Sequence, residues 1–195
     1  MPGRIPKDKI LEIFRETEAL LDGHFQLTSG LHSPQYFQCA RVLQHPKYLH
    51  LFAGEIAKHF EYGEIDVVLS PALGGIVVGT EVGRLMGVRT MFSERKNGVM
   101  DLRRGFELRS GERVLVVEDV VTTGGSVFEV INLVQKAGAT AAGVGFIVDR
   151  SNGAAKFETK QFSILQMDVV TYKPEDCPLC KEGISPVRPG SRGTA

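Results

Sequence analysis

Cysteine is scarce: three in 195 residues, too few and too odd a number for a disulfide framework, and they fit a reducing compartment. Nowhere does the chain hold the roughly 18 consecutive apolar residues of a membrane span, and its opening MPGRIPKDK lacks the apolar stretch of a secretory signal. The expectation is a cytoplasmic protein with no membrane partner. Net charge is missing too, since 23 Lys plus Arg balance 23 Asp plus Glu. No global positive field therefore gathers nucleic acid, and any anion specificity must be local. Two phosphate signatures are also absent. No GxxxxGK[ST] occurs and no GxGxxG follows a first strand, which sets aside ATPase and dinucleotide readings.

What is present is enough for a full core, with 43% hydrophobic and 24% charged residues in a chain of single-domain length. Ile10, Ile13, Phe14, Thr17, Leu20 and Leu21 recur at helical spacing and predict an amphipathic helix from Pro6 to Leu21. GHFQLTSGLHSPQYFQCA loses that period and gains turn residues, the pattern of a small hairpin or flap. Helical spacing returns over His45–Phe60, followed by the strand-length run IDVVLS. A helix from Gly75 to about Met86, strands at Val88–Phe92 and Arg113–Glu118, a helix at Ser126–Ala137 and a strand at Ala141–Asp149 continue the alternation. This predicts an α/β fold, a mostly parallel sheet flanked by helices on both faces. The polar span SERKNGVMDLRRGFELRSGE is long for a connection and reads as a lid. The tail from Pro174 onward is expected to fray.

The chemistry concentrates in Val114–Ser126, VLVVEDVVTTGGS. Four apolar residues form a buried strand, Glu118 and Asp119 sit at its carboxyl end, and a small Gly-containing turn opens a helix. Ligands of open α/β sheets bind at that end. The amides of Thr122 to Ser126 can converge on a phosphate at the positive end of the helix. The acids would repel a phosphate beside them, so they suit the vicinal hydroxyls of a ribose. The alternative is a plain strand, turn and helix whose acids face solvent.

At this point the chain resembles the type I phosphoribosyltransferases, whose donor signature is an apolar strand, two acids and a Thr-Gly turn. FQLTSGLHSPQYFQCA, LSPALGGIVVG and IVDRSNG extend the likeness over nearly the whole chain and narrow it to the bacterial orotate phosphoribosyltransferases. The resemblance implies one domain over 1–195. Within it a hood spans about 1–45 plus the C-terminal segment, and a core spans about 46–170. Tyr36 and Phe37 would contact the base from the hood. Thr122 would touch the base or its carboxylate, and Thr123, Gly124, Gly125 and Ser126 would line the 5-phosphate cradle. Ala72, Leu73, Gly74 and Gly75 would receive the diphosphate. A selective orotate pocket needs a cation for the carboxylate, and Arg150 supplies it, unless it forms a local ion pair with Asp149.

The sequence departs from better-known members where they carry lysines, at Gly74 and at Thr28. Arg95 and Lys96 match a basic pair of the family, and Arg109 adds a cation to the same loop. Its usual lysine and histidine are missing, for which Arg103 and Arg104 are substitutes, weighed against a solvated face. The implied reaction joins orotate N1 to the anomeric carbon of phosphoribosyl diphosphate in de novo pyrimidine (UMP) synthesis. Mg2+ and the basic loop would neutralise the departing diphosphate, and a homodimer is expected from the family. Two other readings remain. A transferase for a purine base would not need Arg150, and a regulator would bind the donor without turnover.

Cys177 and Cys180 form a lone CxxC with no second pair, and Cys39 lies far off. They are either structural thiols or metal or redox ligands. The histidines show no metal-ligand spacing. His32 is the one placed near substrate, and His24 and His32 both read more readily as loop residues than as ligands.

Overall fold

The computed structural model describes residues 4–27, 29–60 and 63–188. Its elements in chain order are α1 (Lys7–Glu16), β1 (Leu20–Gln26), β2 (His32–Phe37), α2 (Cys39–Leu43), α3 (Pro46–His59), β3 (Val67–Pro71), α4 (Gly74–Met86), β4 (Arg89–Lys96), β5 (Val99–Leu102), β6 (Arg113–Val121), α5 (Gly125–Lys136), β7 (Thr140–Asp149), β8 (Gln161–Gln166) and a short α6 (Pro178–Lys181). They divide into two compact units, one of residues 1–5 and 43–167 and one of residues 6–42 and 168–195.

The larger unit is built on a six-stranded sheet of order β5-β4-β3-β6-β7-β8. Every pairing is parallel except β4 with β5, so the expected α/β class holds. β3 and β6 lie inside the sheet, which explains why both read as continuous apolar runs rather than alternating ones. Val67, Leu69, Val114, Val116, Val144 and Phe146 turn one face toward Val127, Val130 and Val134 of α5. The other face carries α3 and α4, and Gly143 and Gly145 of β7 lie directly under Phe60 and Ile56.

Several boundaries differ from the sequence expectation. The first helix stops at Glu16 with Thr17 as its cap, and Glu18 takes a positive φ of 53°. Leu20 and Leu21, read as helical, therefore belong to β1. β6 runs on to Val121, so the two acids lie within the strand. The polar span read as a lid is mostly structured. β4 continues to Lys96, a two-residue Asn97-Gly98 turn follows, and β5 pairs back with Lys96 opposite Val99 and Ser93 opposite Leu102. Leu102, Phe106 and Leu108 then pack onto the core. A polar sequence with apolar residues spaced along it is tethered where a lid would be loose.

In the smaller unit β1 and β2 form the expected antiparallel hairpin. The tail does not fray through Arg188. Tyr172 pairs with His32 and Val187 with Phe25, and the Ser33 hydroxyl donates to the Val170 carbonyl at 3.0 Å. Among the described residues no helix is long and apolar enough to cross a membrane.

Candidate active site

The carboxyl ends of the parallel strands β3, β4, β6 and β7 meet along one edge of the larger unit, as ligand sites of such sheets require. Glu118 and Asp119 lie on β6 at this edge. Glu118 is 9% exposed, and its Oε1 accepts the Asp119 N–H at 3.0 Å, while Asp119 Oδ1 accepts the Val120 N–H at 2.8 Å. Burial, reinforced by the neighbouring Asp119 charge, pushes the Glu118 carboxyl up to about 9. Burial raises Asp119 as well. Two adjacent carboxyls in a low-dielectric setting cannot both ionise cheaply. Burial thus favours a proton on the pair in the ligand-free chain.

The turn between β3 and α4 lies directly on these acids. A Cβ on Gly74 would collide with the Asp119 carboxylate, and one on Gly75 would come within 3.0 Å of Glu118 Oε1. Any side chain at Gly74 would have to displace the Asp119 carboxylate from its present position. The acids occupy the space a side chain would need. The Ala72–Leu73 peptide is cis. The Ala72 N–H is bonded to the Ser93 carbonyl at 2.8 Å and the Gly75 N–H to Glu118. Two of the four amides expected to meet an anion are thus committed elsewhere.

Beyond β6, Thr122, Thr123, Gly124, Gly125 and Ser126 line an open cavity of about 190 Å³ with Glu118 and Arg95. Gly124 caps α5 with φ +80°. A Cβ there would meet the rings of Phe128 and Phe157 at 3.1 Å, so both backbone and space call for glycine. The 12-residue α5 directs its amino end at the cavity, the arrangement that favours an anion.

Arg95, at the end of β4, reaches the same cavity and is ion-paired to Glu129 of α5 at 2.5 Å. Lys96 is exposed beside the Asn97-Gly98 turn. Arg103 and Arg104 both converge on Glu94, at 3.4 and 3.0 Å, and the Arg104 guanidinium lies over the Phe92 ring. Arg109 is exposed, and its N–H bonds to Glu112. The acidic partners Glu94 and Glu129 were not singled out from sequence. Helical spacing could have flagged Glu129, but Glu94 meets its arginines only because β5 folds back.

Arg150 follows β7 and is half-buried, with its N–H bonded to the Val121 carbonyl at 2.8 Å. This bond sets it beside Thr122, so two residues expected at the base adjoin in space. Asp149 Oδ1 accepts from the Ser151 N–H at 2.8 Å and from its hydroxyl at 2.6 Å. Tyr36 and Phe37 belong to the smaller unit. Tyr36 is half-buried on Phe25, and Phe37 is buried edge-on to Phe14, so the Phe37 ring serves that unit's core. His32, expected near substrate, is buried in the same unit against His24. Thr28 lies outside the described residues.

The family profile described as phosphoribosyl transferase domain matches residues 38–177. A curated relative from Chlorobaculum parvum, named orotate phosphoribosyltransferase, is 62% identical over 185 residues, covering 95% of this chain and 96% of its own. The crystal structure of orotate phosphoribosyltransferase from Aeropyrum pernix superposes with a TM-score of 0.69 at 22% identity, over 81% of this chain and 93% of that one. An adenine phosphoribosyltransferase from Thermoanaerobacter pseudethanolicus reaches 0.61 at 18% identity, over 68% and 88%. Both structural likenesses speak to the fold.

Proposed function

Since the chain belongs to the phosphoribosyltransferase family, we infer that it transfers the 5-phosphoribosyl group of phosphoribosyl diphosphate to orotate, giving orotidine 5-monophosphate and diphosphate for pyrimidine synthesis. The observation that carries the donor is the pair of buried Glu118 and half-buried Asp119 beside a phosphate-sized turn at the head of α5. The acceptor is supported by the name shared among curated relatives and by Arg150 adjoining Thr122.

In the reaction the bond from the anomeric carbon to the diphosphate oxygen breaks, a bond to orotate N1 forms, and the N1 proton is lost to diphosphate or to water. Positive charge grows on the ribose, and Glu118 and Asp119 accept hydrogen bonds from its hydroxyls while favouring that charge. The Thr123–Ser126 amides and α5 hold the 5-phosphate. The N–H groups of Leu73 and Gly74 take the anion role at the β3–α4 turn. Arg95 neutralises charge at the cavity rim, and Arg103, Arg104 and Lys96 approach diphosphate from the β4–β5 arm. Arg150 pairs with the orotate carboxylate, with Thr122 beside it.

The acid pair suits a hard cation, because its oxygens are buried and its double charge is held back by proximity. Mg2+ would be drawn to Glu118 and Asp119, and when bound it would neutralise the leaving diphosphate. We also propose a cytoplasmic homodimer, in keeping with free cysteines and the family expectation. The test is loss of orotate that requires both phosphoribosyl diphosphate and magnesium, with equimolar diphosphate formed. Donor binding without turnover would instead support the regulator reading.

A further inference from the structure

The lone CxxC is not alone in space. His24 of β1, His32 of β2, and Cys177 and Cys180 flanking the first turn of α6 bring their ligand atoms within 4.8 Å of one another. His24 Nε2 lies 2.9 Å from His32 Nδ1, 3.4 Å from Cys177 Sγ and 3.8 Å from Cys180 Sγ, and Cys180 Sγ lies 3.3 Å from His32 Nδ1. Tetrahedral zinc with ordinary Zn–N and Zn–S bonds separates its ligands by about 3.3 Å for N to N and about 3.6 Å for N to S. These four separations lie within a few tenths of an ångström of those values, and no pair of ligand atoms is more than 4.8 Å apart. Both histidines are 4% exposed and Cys177 is fully buried.

The surroundings fix the ligand nitrogens. His24 Nδ1 lies 2.6 Å from the Ile184 carbonyl, which can only accept. Nδ1 thus carries the proton, and the Nε2 lone pair faces the cluster, the outer hydrogen bond that orients a metal-bound imidazole. The backbones are braced as well. His32 exchanges two 2.8 Å hydrogen bonds with Tyr172, and the His24 carbonyl accepts the Val187 N–H at 2.8 Å.

We propose that His24, His32, Cys177 and Cys180 form a structural zinc site that pins the C-terminal segment to the β1–β2 hairpin. Two nitrogens and two thiolates in a closed set suit tetrahedral Zn2+, and no ligand position remains for substrate. Binding releases the two thiol protons to solvent. The sequence hides the site because its halves lie about 150 residues apart and the histidine spacing is that of facing hairpin strands.

The full chain, purified under reducing conditions, is expected to carry one zinc by elemental analysis. After chelation, titration with Co2+ alone should yield the intense visible bands of tetrahedral cobalt and a near-ultraviolet thiolate charge-transfer band. Zinc should displace both. Cys180→Ser, chosen because Cys180 is the least buried ligand, should weaken the charge-transfer band, and Cys39→Ser should leave it intact. Chelation should also speed proteolysis at Lys173 and Lys181. A folded wild-type chain that takes up neither zinc nor cobalt with these signatures overturns the proposal and leaves a thiol–imidazole hydrogen-bond cluster. A cobalt spectrum unchanged in folded Cys180→Ser overturns it equally.

Discussion

At the residue scale the Glu118–Asp119 pair has a signature in stability. Glu118 titrates near 9 in the fold against an ordinary 4.5, so between those values the folded chain binds a proton that the unfolded chain has lost. Stability from this group is fully present below the lower value and is lost as pH rises through the upper one. Glu118→Gln keeps the shape and removes the titration. The variant's Tm advantage over the native ligand-free chain should widen from about pH 5 to about pH 9. Parallel Tm curves would contradict the buried, protonated state. The same variant should lose about 10- to 100-fold in kcat/KM, the worth of charged hydrogen bonds to the ribose. Gly124→Ala forces a left-handed Ala onto the Phe128 and Phe157 rings. It should cost about 1–2 kcal/mol or more by denaturant titration and weaken donor binding. Arg150→Ala should lower kcat/KM for orotate by about 100-fold, with the KM for phosphoribosyl diphosphate little changed. An equal loss for both substrates would instead indicate disturbed structure.

At the element scale the β4–β5 arm carries the least settled chemistry. Glu94 holds both Arg103 and Arg104, and a delivery role requires those exposed pairs to exchange for diphosphate, which exposed pairs do at little cost. Arg103→Ala and Arg104→Ala should each raise the KM for phosphoribosyl diphosphate several-fold, and more steeply at low salt. Unchanged KM values would make them a solvated face. The arm also marks where sequence reading stopped short. Asn97-Gly98 between β4 and β5 is a strong two-residue hairpin signal, with φ values of 52° and 82°. It was overshadowed by the charges around it. By contrast β3, β6, β7, α4 and α5 were legible because their apolar residues face a core on both sides of a parallel sheet. The acid pair and the Thr122–Ser126 turn were legible because strand, acids and glycines are contiguous.

At the scale of the whole molecule, what sequence could not show is long-range pairing. The tail looked unstructured since its order comes from Tyr172 against His32 and Val187 against Phe25, bonds that leave no local period. The close approach of Gly74 to Asp119 is likewise a juxtaposition of residues far apart in sequence that no local period records. The groups proposed to bind the donor, Glu118, Asp119, Arg95 and Thr122–Ser126, all lie in the larger unit, and none of them selects the acceptor. The central claim is therefore the choice of acceptor. It is tested most directly by steady-state turnover of the full chain with phosphoribosyl diphosphate and magnesium against orotate, adenine and hypoxanthine. kcat/KM for orotate is expected to exceed that for either purine by about 1,000-fold or more, as a site built around a specific charge partner should. Turnover of adenine or hypoxanthine with orotate inert would contradict it.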